Sequence, residues 1–433
     1  MFTNGKLGNS EFHIGIDDTD SESGGCTTYT AAVLFQELCN RGVQPSDFPW
    51  LVRLNPNIPW KTRGNGALSL HIVADDDKLD EIQEVSLSIV GRTSQLSAER
   101  ADPAIVFLKG PVSPALRQYS HSALHDVLTV RRAKKIAKVA GAELHLLKGT
   151  RGVIGALAAI GADLDQTDHT FEIIAYRTRE NLGSPRRVDR ESIRLMSSEH
   201  GSRTFHNLDP ESGRILVCPH GPDPVLLGIR GRSPNDVYEA FNRVRIDEPL
   251  ERVAIFRTNQ GTDAHLQETR RIIDLRRHQS TILTGRVETI PRVLRGGHVI
   301  FQLGDETGSI WCAAYAPTRS LARASRELLP GDRVRVYGGI RGVRNGMLTL
   351  NVEKIDVTEL VEKVETNNPL CHSCGSRCET MGRGQGFRCK KCGLRDNSLR
   401  PMRVAEPRKL VQATYLAAVQ ARRHLTRPEV RNV

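Results

Sequence analysis

Residues 13–29, HIGIDDTDSESGGCTTY, decide how the N-terminal third of the chain is read. His13 to Ile16 form a short apolar strand that runs into the acidic turn Asp17, Asp18, Thr19, Asp20, then into Gly24 and Gly25. A helix follows, because Ala31, Leu34, Phe35 and Leu38 recur at helical spacing and Thr27 or Thr28 can cap its start. Clustered carboxylates at a strand end repel one another unless a cation lies between them. Mg²⁺ suits such a place, since it takes one or two carboxylates and fills its remaining octahedral positions with water and nucleotide phosphates. The turn Gly24-Gly25-Cys26-Thr27-Thr28 opens a helix whose backbone donors attract phosphate, so metal and anion are expected to meet. An acidic turn before a capped helix, with no ligand, is the competing reading of this segment alone.

A second segment favours the ligand: residues 53–67, RLNPNIPWKTRGNGA. Its two prolines fix an extended approach, and Gly64 and Gly66 let backbone amides come close to an anion. Lys61 and Arg63 add fixed positive charge for phosphoryl oxygens, the role cations play when charge develops in phosphoryl transfer. This is not a Walker loop, but acidic metal ligands and a Gly-rich basic loop in one small domain point to a nucleoside triphosphate.

Outward from these motifs, strands at 51–54, 67–73 and 104–108 with helical patterns between them make residues 1–140 an alternating α/β unit. From 141 to 270 the pattern is mixed, with helices at 153–164 and 236–244 and strands at 171–176, 215–218, 225–229 and 253–257, as in a small α+β sandwich. Residues 280–360 change to short alternating strands at 282–289, 298–303, 309–314, 333–338 and 347–352, with a helix at 319–329 before the fourth. That order fits a five-stranded barrel of the oligonucleotide-binding type. Two further polar clusters follow strands: residues 219–224, PHGPDP, which hold His220 and Asp223 in a rigid turn, and residues 257–265, RTNQGTDAH.

The last unit, 366–433, carries Cys371-x-x-Cys374 and Cys389-x-x-Cys392 with fourteen residues between the pairs. That is zinc-ribbon spacing, in which four thiolates close a structural tetrahedral site. The same unit holds 14 Lys or Arg against 4 Asp or Glu, so it carries +10 of the net +11 and is the expected contact with a polyanion. A helix is expected after Pro407, with Val411, Tyr415, Ala418 and Leu425 on one face. Nine cysteines in 433 residues are too few for a disulfide scaffold. The longest apolar stretch, 153–160, is far short of the roughly 20 residues of a membrane span. With no signal-peptide pattern at the start, a cytoplasmic protein without a membrane partner is expected.

Taken together, GIDDTDSESGGCTTY, RLNPNIPWKTRGNGA, PHGPDPVLLGIRG and RTNQGTDAH, followed by a barrel and a zinc ribbon, resemble the archaeal tRNA(Ile) 2-agmatinylcytidine synthetases over essentially the whole chain. The resemblance implies a multidomain α/β and α+β protein: a kinase-like ATP-binding domain, a ferredoxin-like domain, an OB-fold barrel and a zinc ribbon. It also implies an ATP-dependent carbon–nitrogen ligase with ATP, Mg²⁺ and Zn²⁺ as cofactors and a CAU-anticodon tRNA(Ile) and agmatine as partners. ATP would activate the oxygen at position two of the wobble cytosine, and the amine of agmatine would displace it, so that the tRNA decodes AUA. Carried onto this sequence, Asp17, Asp18 and Asp20 would hold Mg²⁺ and the nucleotide, and Thr27 occupies the phosphate-accepting threonine position. Gly25, Cys26, Thr28, Lys61, Arg63, Gly64, Asn65 and Gly66 would sit on the phosphates. His220 and Asp223 would serve the amine, and Cys371, Cys374, Cys389 and Cys392 the zinc.

Two other classes compete. Asp18-Thr19-Asp20 after a strand mimics the nucleophile motif of haloacid-dehalogenase-like phosphatases, although the later Lys and acidic motifs are not evident. A barrel and a ribbon alone would make a non-catalytic single-stranded nucleic-acid-binding protein.

Overall fold

The structure is a computed structural model that describes residues 9–62, 64–342 and 348–431. Arg63, and Met347 at the head of the last expected barrel strand, lie outside the described residues.

The first motif forms the predicted strand, turn and helix. β1 (Asn9–Asp17) lies in the interior of a sheet, antiparallel to β4 (Gly66–Asp75) on one side and β5 (Ala104–Lys109) on the other. β2 (Gln44–Pro45) and β3 (Trp50–Arg53) both pair with β4, and β6 (Glu143–Leu146) extends the sheet beyond β5. Side chains along β1 alternate between faces. Phe12, Ile14 and Ile16 pack under α1 (Thr27–Asn40) and α2 (Leu79–Thr93). His13, Gly15 and Asp17 therefore face the opposite layer, built from α3 (Pro114–His125), α4 (Val130–Ala140) and α5 (Val153–Ile160). α5 is apolar all round, as a helix buried on every side must be. It lies so close to β1 that a Cβ on Gly15 would stand 2.1 Å from the Ala156 carbonyl oxygen.

The second α+β unit continues the same sheet. β7 (Thr170–Arg177) lies between β10 (Leu250–Thr258) and β9 (Val225–Gly231), and β8 (Thr204–Phe205) forms the edge. α6 (Arg190–His200) and α7 (Pro234–Asn242) cover it. The junction is a short parallel pairing of β3 with β10, Trp50 opposite Arg257, which makes one ten-stranded sheet in the order β6-β5-β1-β4-β3-β10-β7-β9-β8, with β2 set beside β4.

The expected strand at 215–218 is not one. Ile215 makes an isolated bridge to Leu208, the Leu216 amide donates to Asn207, and the Val217 carbonyl accepts from Gly228. Pro219, Pro222 and Pro224 then remove the donors that a longer ladder would need.

The barrel follows as expected. β11 (Ser280–Val287), β13 (Val299–Asp305), β14 (Gly308–Ala314), β15 (Arg333–Gly342) and β16 (Leu348–Glu359) form it, with β12 (Arg292–Val293) beside β13 and α8 (Ser320–Arg326) between β14 and β15. Pairing of β11 with both β13 and β15 closes it around a core that includes Phe301, Leu303, Val336 and Leu350. β17 (Lys363–Asn367) and β21 (Met402–Glu406) form a stalk, and three short strands, β18 (Glu379–Thr380), β19 (Phe387–Arg388) and β20 (Arg395–Asp396), carry the ribbon.

Among the described residues no α-helix forms after Pro407. β22 (Thr414–Leu416) pairs with β16, single turns follow at Val419–Ala421 and Glu429–Arg431, and the chain runs back to the main sheet. There the His424 and Leu425 carbonyls accept from the Gly261 and Asp263 amides, and Arg427 and Arg431 pair with Asp168. Leu425 and Ala418 are buried as the helical pattern suggested, but by long-range packing, and Val411 is exposed. No helix among the described residues is long and apolar enough to cross a membrane.

Candidate functional site

Where β1, the loop before β4 and the junction with β7 and β9 meet, a cavity of about 360 Å³ opens. The acidic turn forms one wall, through Asp17, Asp18 and Asp20. Asp17 sits on the α5 face of β1, in contact with Gly155, where any Cβ would fall 1.9 Å from Asp17 Oδ2. Asp18 has φ of 60°, a left-handed conformation that turns the chain sharply at the strand end. Burial, then the neighbouring Asp18 charge, holds the Asp17 carboxyl well above its ordinary range. Asp18 is pushed up to about 6, mainly by burial and against the pull of Arg151, whose guanidinium is 3.4 Å from Asp18 Oδ2. Carboxylates that penalise one another in this way fit a cation between them.

The helix start forms the next wall. Cys26, Thr27 and Thr28 line the cavity, and Cys26 N-caps α1 without a side-chain cap. No acidic residue occupies the first turn, so the positive end of the helix faces the cavity without an opposing charge from that turn. The Thr27 hydroxyl accepts from Thr19 at 3.2 Å. Gly25 does not line the cavity itself. Its φ of 75° makes the turn, and a Cβ there would meet the Gln95 side chain at 2.7 Å.

The opposite wall is the glycine-bearing loop, with Lys61, Thr62, Gly64, Asn65 and Gly66 on the cavity. Thr62 Oγ1 donates to Asp20 Oδ1 at 3.0 Å, so the two motifs touch. Asn55 locks the loop: its side chain donates to the Asp126 and His278 carbonyls, and its own carbonyl accepts from Asn65 Nδ2 at 2.7 Å. Asn65 has φ of 48°. Burial, then Arg423 and Arg341, lowers the Lys61 ammonium.

The two polar clusters divide. Asp223 lines this cavity, where its Oδ1 accepts from the Val225 amide and stands 3.5 Å from Arg186. His220 lines a neighbouring cavity with Arg186 and Arg214. Asn259, from the other cluster, clamps β3 through both backbone groups of Arg53.

Arg53 and Arg230 stand inside motifs that the sequence marks without giving them a role, and sequence reading missed Arg151, Glu172 and His424; all five line the main cavity. Glu172 is buried in the middle of β7, paired with Arg230 at 3.0 Å and accepting from Gln260. A carboxylate inside the run TFEIIAYR was the available signal. His424 arrives from the C-terminal tail, and a Cβ on Gly64 would stand 3.2 Å from its ring. No local pattern marks it.

In the ribbon, the sulfurs of Cys371, Cys374, Cys389 and Cys392 lie within 4.8 Å of one another, with Cys371–Cys392 at 3.5 Å and Cys374–Cys389 at 3.4 Å. Tetrahedral zinc thiolates at ~2.3 Å from the metal are separated by about 3.8 Å, so the donor set and size fit zinc.

Comparison with known proteins covers every part of this architecture. Residues 13–78 match the TiaS TCKD domain, 150–265 the TiaS FLD domain, 281–358 the OB-fold nucleic acid binding domain and 368–410 the TiaS C-terminal zinc ribbon domain. The tRNA 2-agmatinylcytidine synthetase TiaS of Pyrococcus horikoshii is 44% identical over 419 residues, 96% of each chain. That of Methanosarcina mazei is 42% identical over 96% of this chain and 97% of its own. Among solved structures, the complex of TiaS with its isoleucine tRNA and ATP superimposes with a TM-score of 0.88 at 38% identity, covering 98% of this chain and 97% of that one. The complex of TiaS with the same tRNA, AMPCPP and agmatine gives 0.84 at 36% identity, covering 98% of both. The strand-end carboxylates, the glycine loop, the barrel and the ribbon thus sit in one known architecture, and the chain belongs to the tRNA(Ile) 2-agmatinylcytidine synthetase (TiaS) family.

Proposed function

We propose that this protein, acting in the cytoplasm, uses ATP to join agmatine to position two of the wobble cytidine in a CAU-anticodon tRNA(Ile). The observation that carries the reading is the single cavity flanked by the Asp17–Asp20 turn and the Lys61–Gly66 loop, joined by the Thr62–Asp20 hydrogen bond. A ring carbonyl oxygen is a poor leaving group until a phosphoryl group is placed on it. The amine nitrogen then forms a bond to the ring carbon, the carbon–oxygen bond breaks, the oxygen leaves on phosphate and the amine loses a proton.

Asp17, Asp18 and Asp20 are the residues that would hold Mg²⁺, which when bound neutralises phosphate charge. Lys61, Gly64, Asn65 and Gly66, together with Arg63, cradle the phosphates. Gly25, Cys26 and Thr28 present the start of α1 to them, and Thr27 occupies the phosphate-accepting threonine position at that helix start. Agmatine is a primary amine with a guanidinium tail, and Asp223 and the buried Glu172 are carboxylates of the same cavity suited to that cation. His220, from the adjoining cavity, takes the proton that the amine sheds. The barrel and the zinc-bearing ribbon hold the tRNA body through backbone charge and stacking.

Purified protein given ATP, Mg²⁺, agmatine and the CAU-anticodon tRNA should yield a digest in which one cytidine has gained agmatine with loss of water. Unmodified tRNA under these conditions would reject the reading. Phosphate release that needs neither agmatine nor tRNA would restore the phosphatase.

A further inference from the structure

Away from the ribbon, the described residues contain one other group of His, Cys, Asp or Glu that could hold a metal ion: His121, His125 and Glu268. His121 and His125 are one turn apart near the end of α3, so they share a face, the i, i+4 arrangement by which helical histidine pairs grip a metal. Their rings meet edge to face with centroids 5.0 Å apart. Glu268 comes from a different part of the chain, the connector between β10 and β11, and its position is fixed from outside. The Ile282 amide and the Thr281 hydroxyl of β11 both donate to the Glu268 carbonyl, at 2.8 and 3.0 Å.

The distances distinguish a metal site from a hydrogen-bonded cluster. His125 is only 4% exposed, yet its Nδ1 has no hydrogen-bond partner, and its Nε2 faces Glu268 Oε1 at 3.8 Å and Asp126 Oδ2 at 3.5 Å. Such gaps are too long for N–H···O bonds, which cluster near 2.9 Å. Two ligands at ~2.0–2.1 Å from a tetrahedral zinc are separated by about 3.3 Å; His125 Nε2 and Glu268 Oε1 stand at 3.8 Å, and the three ligand atoms all lie within 4.8 Å of one another, a spacing that side-chain adjustment can close on a metal. Asp126 is engaged elsewhere: its Oδ1 accepts from Arg270 at 3.1 Å and from Gln279 at 2.8 Å, which leaves that cation neutralised beside the cluster.

We propose that His121, His125 and Glu268 bind a divalent transition metal of the zinc class, separate from the ribbon, which staples the catalytic unit to the barrel. Two nitrogen ligands and one carboxylate suit zinc, with water in the fourth position. The staple lies directly behind the phosphate-side loop. The Ala123 carbonyl, on the same turn of α3, accepts from the Asn55 amide at 3.0 Å, and the Asp126 carbonyl accepts from the Asn55 side chain. A metal here would fix the barrel relative to the loop that faces the cavity.

The test uses the full chain, stripped with chelator, reloaded with Zn²⁺, passed through a desalting column and assayed for metal by mass spectrometry. Two equivalents per chain are expected for the wild type. One is expected for His121→Ala with Glu268→Gln, both half-buried positions where the change is mild, and one for Cys371→Ser with Cys374→Ser. Loaded with Co²⁺, the cysteine variant should show a visible ligand-field band without thiolate charge transfer. A wild type that retains one equivalent overturns the site, as does a His121→Ala, Glu268→Gln protein that still retains two.

Discussion

Gly155→Ala is the most informative single change. The added methyl would lie 1.9 Å from Asp17 Oδ2 and 2.6 Å from its Cγ, when real Cβ atoms essentially never approach a heavy atom closer than 3.0 Å. At least 1.1 Å must be recovered, and α5 cannot retreat freely, because nearly every residue of it is buried. The Asp17 carboxylate must therefore leave its place at the end of β1. Overpacking of this kind costs about 1–3 kcal/mol of stability, which a folded domain withstands. Displacing a reacting group by about 1 Å costs on the order of 10²-fold in rate. The assay is the initial rate of agmatine incorporation into tRNA, followed by mass spectrometry of the digested nucleosides, with circular dichroism to confirm folding and filter binding to confirm tRNA affinity. Gly91→Ala is the control: its methyl would meet only Leu147 Cδ2 at 3.8 Å, inside α2, where alanine gains roughly 0.5–1 kcal/mol over glycine. A folded Gly155→Ala protein with a rate within threefold of wild type would refute the reasoning.

Asp18→Asn should bind tRNA as the wild type does and lose about 10²–10³-fold in product formation; equal activity in the same assay would remove Asp18 from the machinery. Cys389→Ser, at a position 1% exposed in the ribbon, should lose one zinc and weaken tRNA binding by about tenfold or more while ATP binding is kept; unchanged affinity in a filter assay would contradict the ribbon's role. Burial lowers His71 and His424 well below their ordinary range, and burial followed by Arg230 lowers His206 to about 3. Below about pH 6.5 the unfolded chain protonates these histidines and the native chain refuses to, so their contribution is complete above that pH and is lost as the pH drops, while Asp17 and Asp18, held above their ordinary range by burial, favour the native chain on protonation over the same interval. By pH 4.5 His206 alone accounts for a loss of about 3 kcal/mol. Urea midpoints of the wild type and of His206→Asn at pH 7.5 and 4.5 check this: acidification should lower the midpoint less, or raise it more, in His206→Asn, and the same change in both proteins would contradict it.

The strand, turn and helix around Asp17, the glycine loop, the barrel and the four cysteines were legible because each is written in consecutive residues with a local physical meaning. What escaped was set by distance along the chain. Glu172 reads as part of an apolar strand, and only its pairing with Arg230 and its place on the cavity give it significance. Arg53 lies inside a motif that was recognised, but its guanidinium matters because it stands where a Cβ on Gly64 or Gly66 would be, 2.5 and 2.9 Å away. The tail after Pro407 has helical spacing and is not helical. Pairing of Thr414–Leu416 with β16 and the hydrogen bonds of His424 and Leu425 to the 261–263 loop supply burial that the pattern attributes to a helix face. Pairing direction was also hidden, since alternating strands and helices do not reveal that β1 runs antiparallel to both neighbours.

The central claim is that the carboxylates after β1 and the loop before β4 serve one triphosphate. A crystal structure of this protein with a non-hydrolysable ATP analogue and Mg²⁺ tests it most directly. The phosphates are expected between Asp17, Asp18 and Asp20 on one side and Lys61 and the Gly64–Gly66 backbone on the other. Phosphates bound elsewhere, with the Thr62–Asp20 contact intact and the cavity filled by solvent, would contradict it.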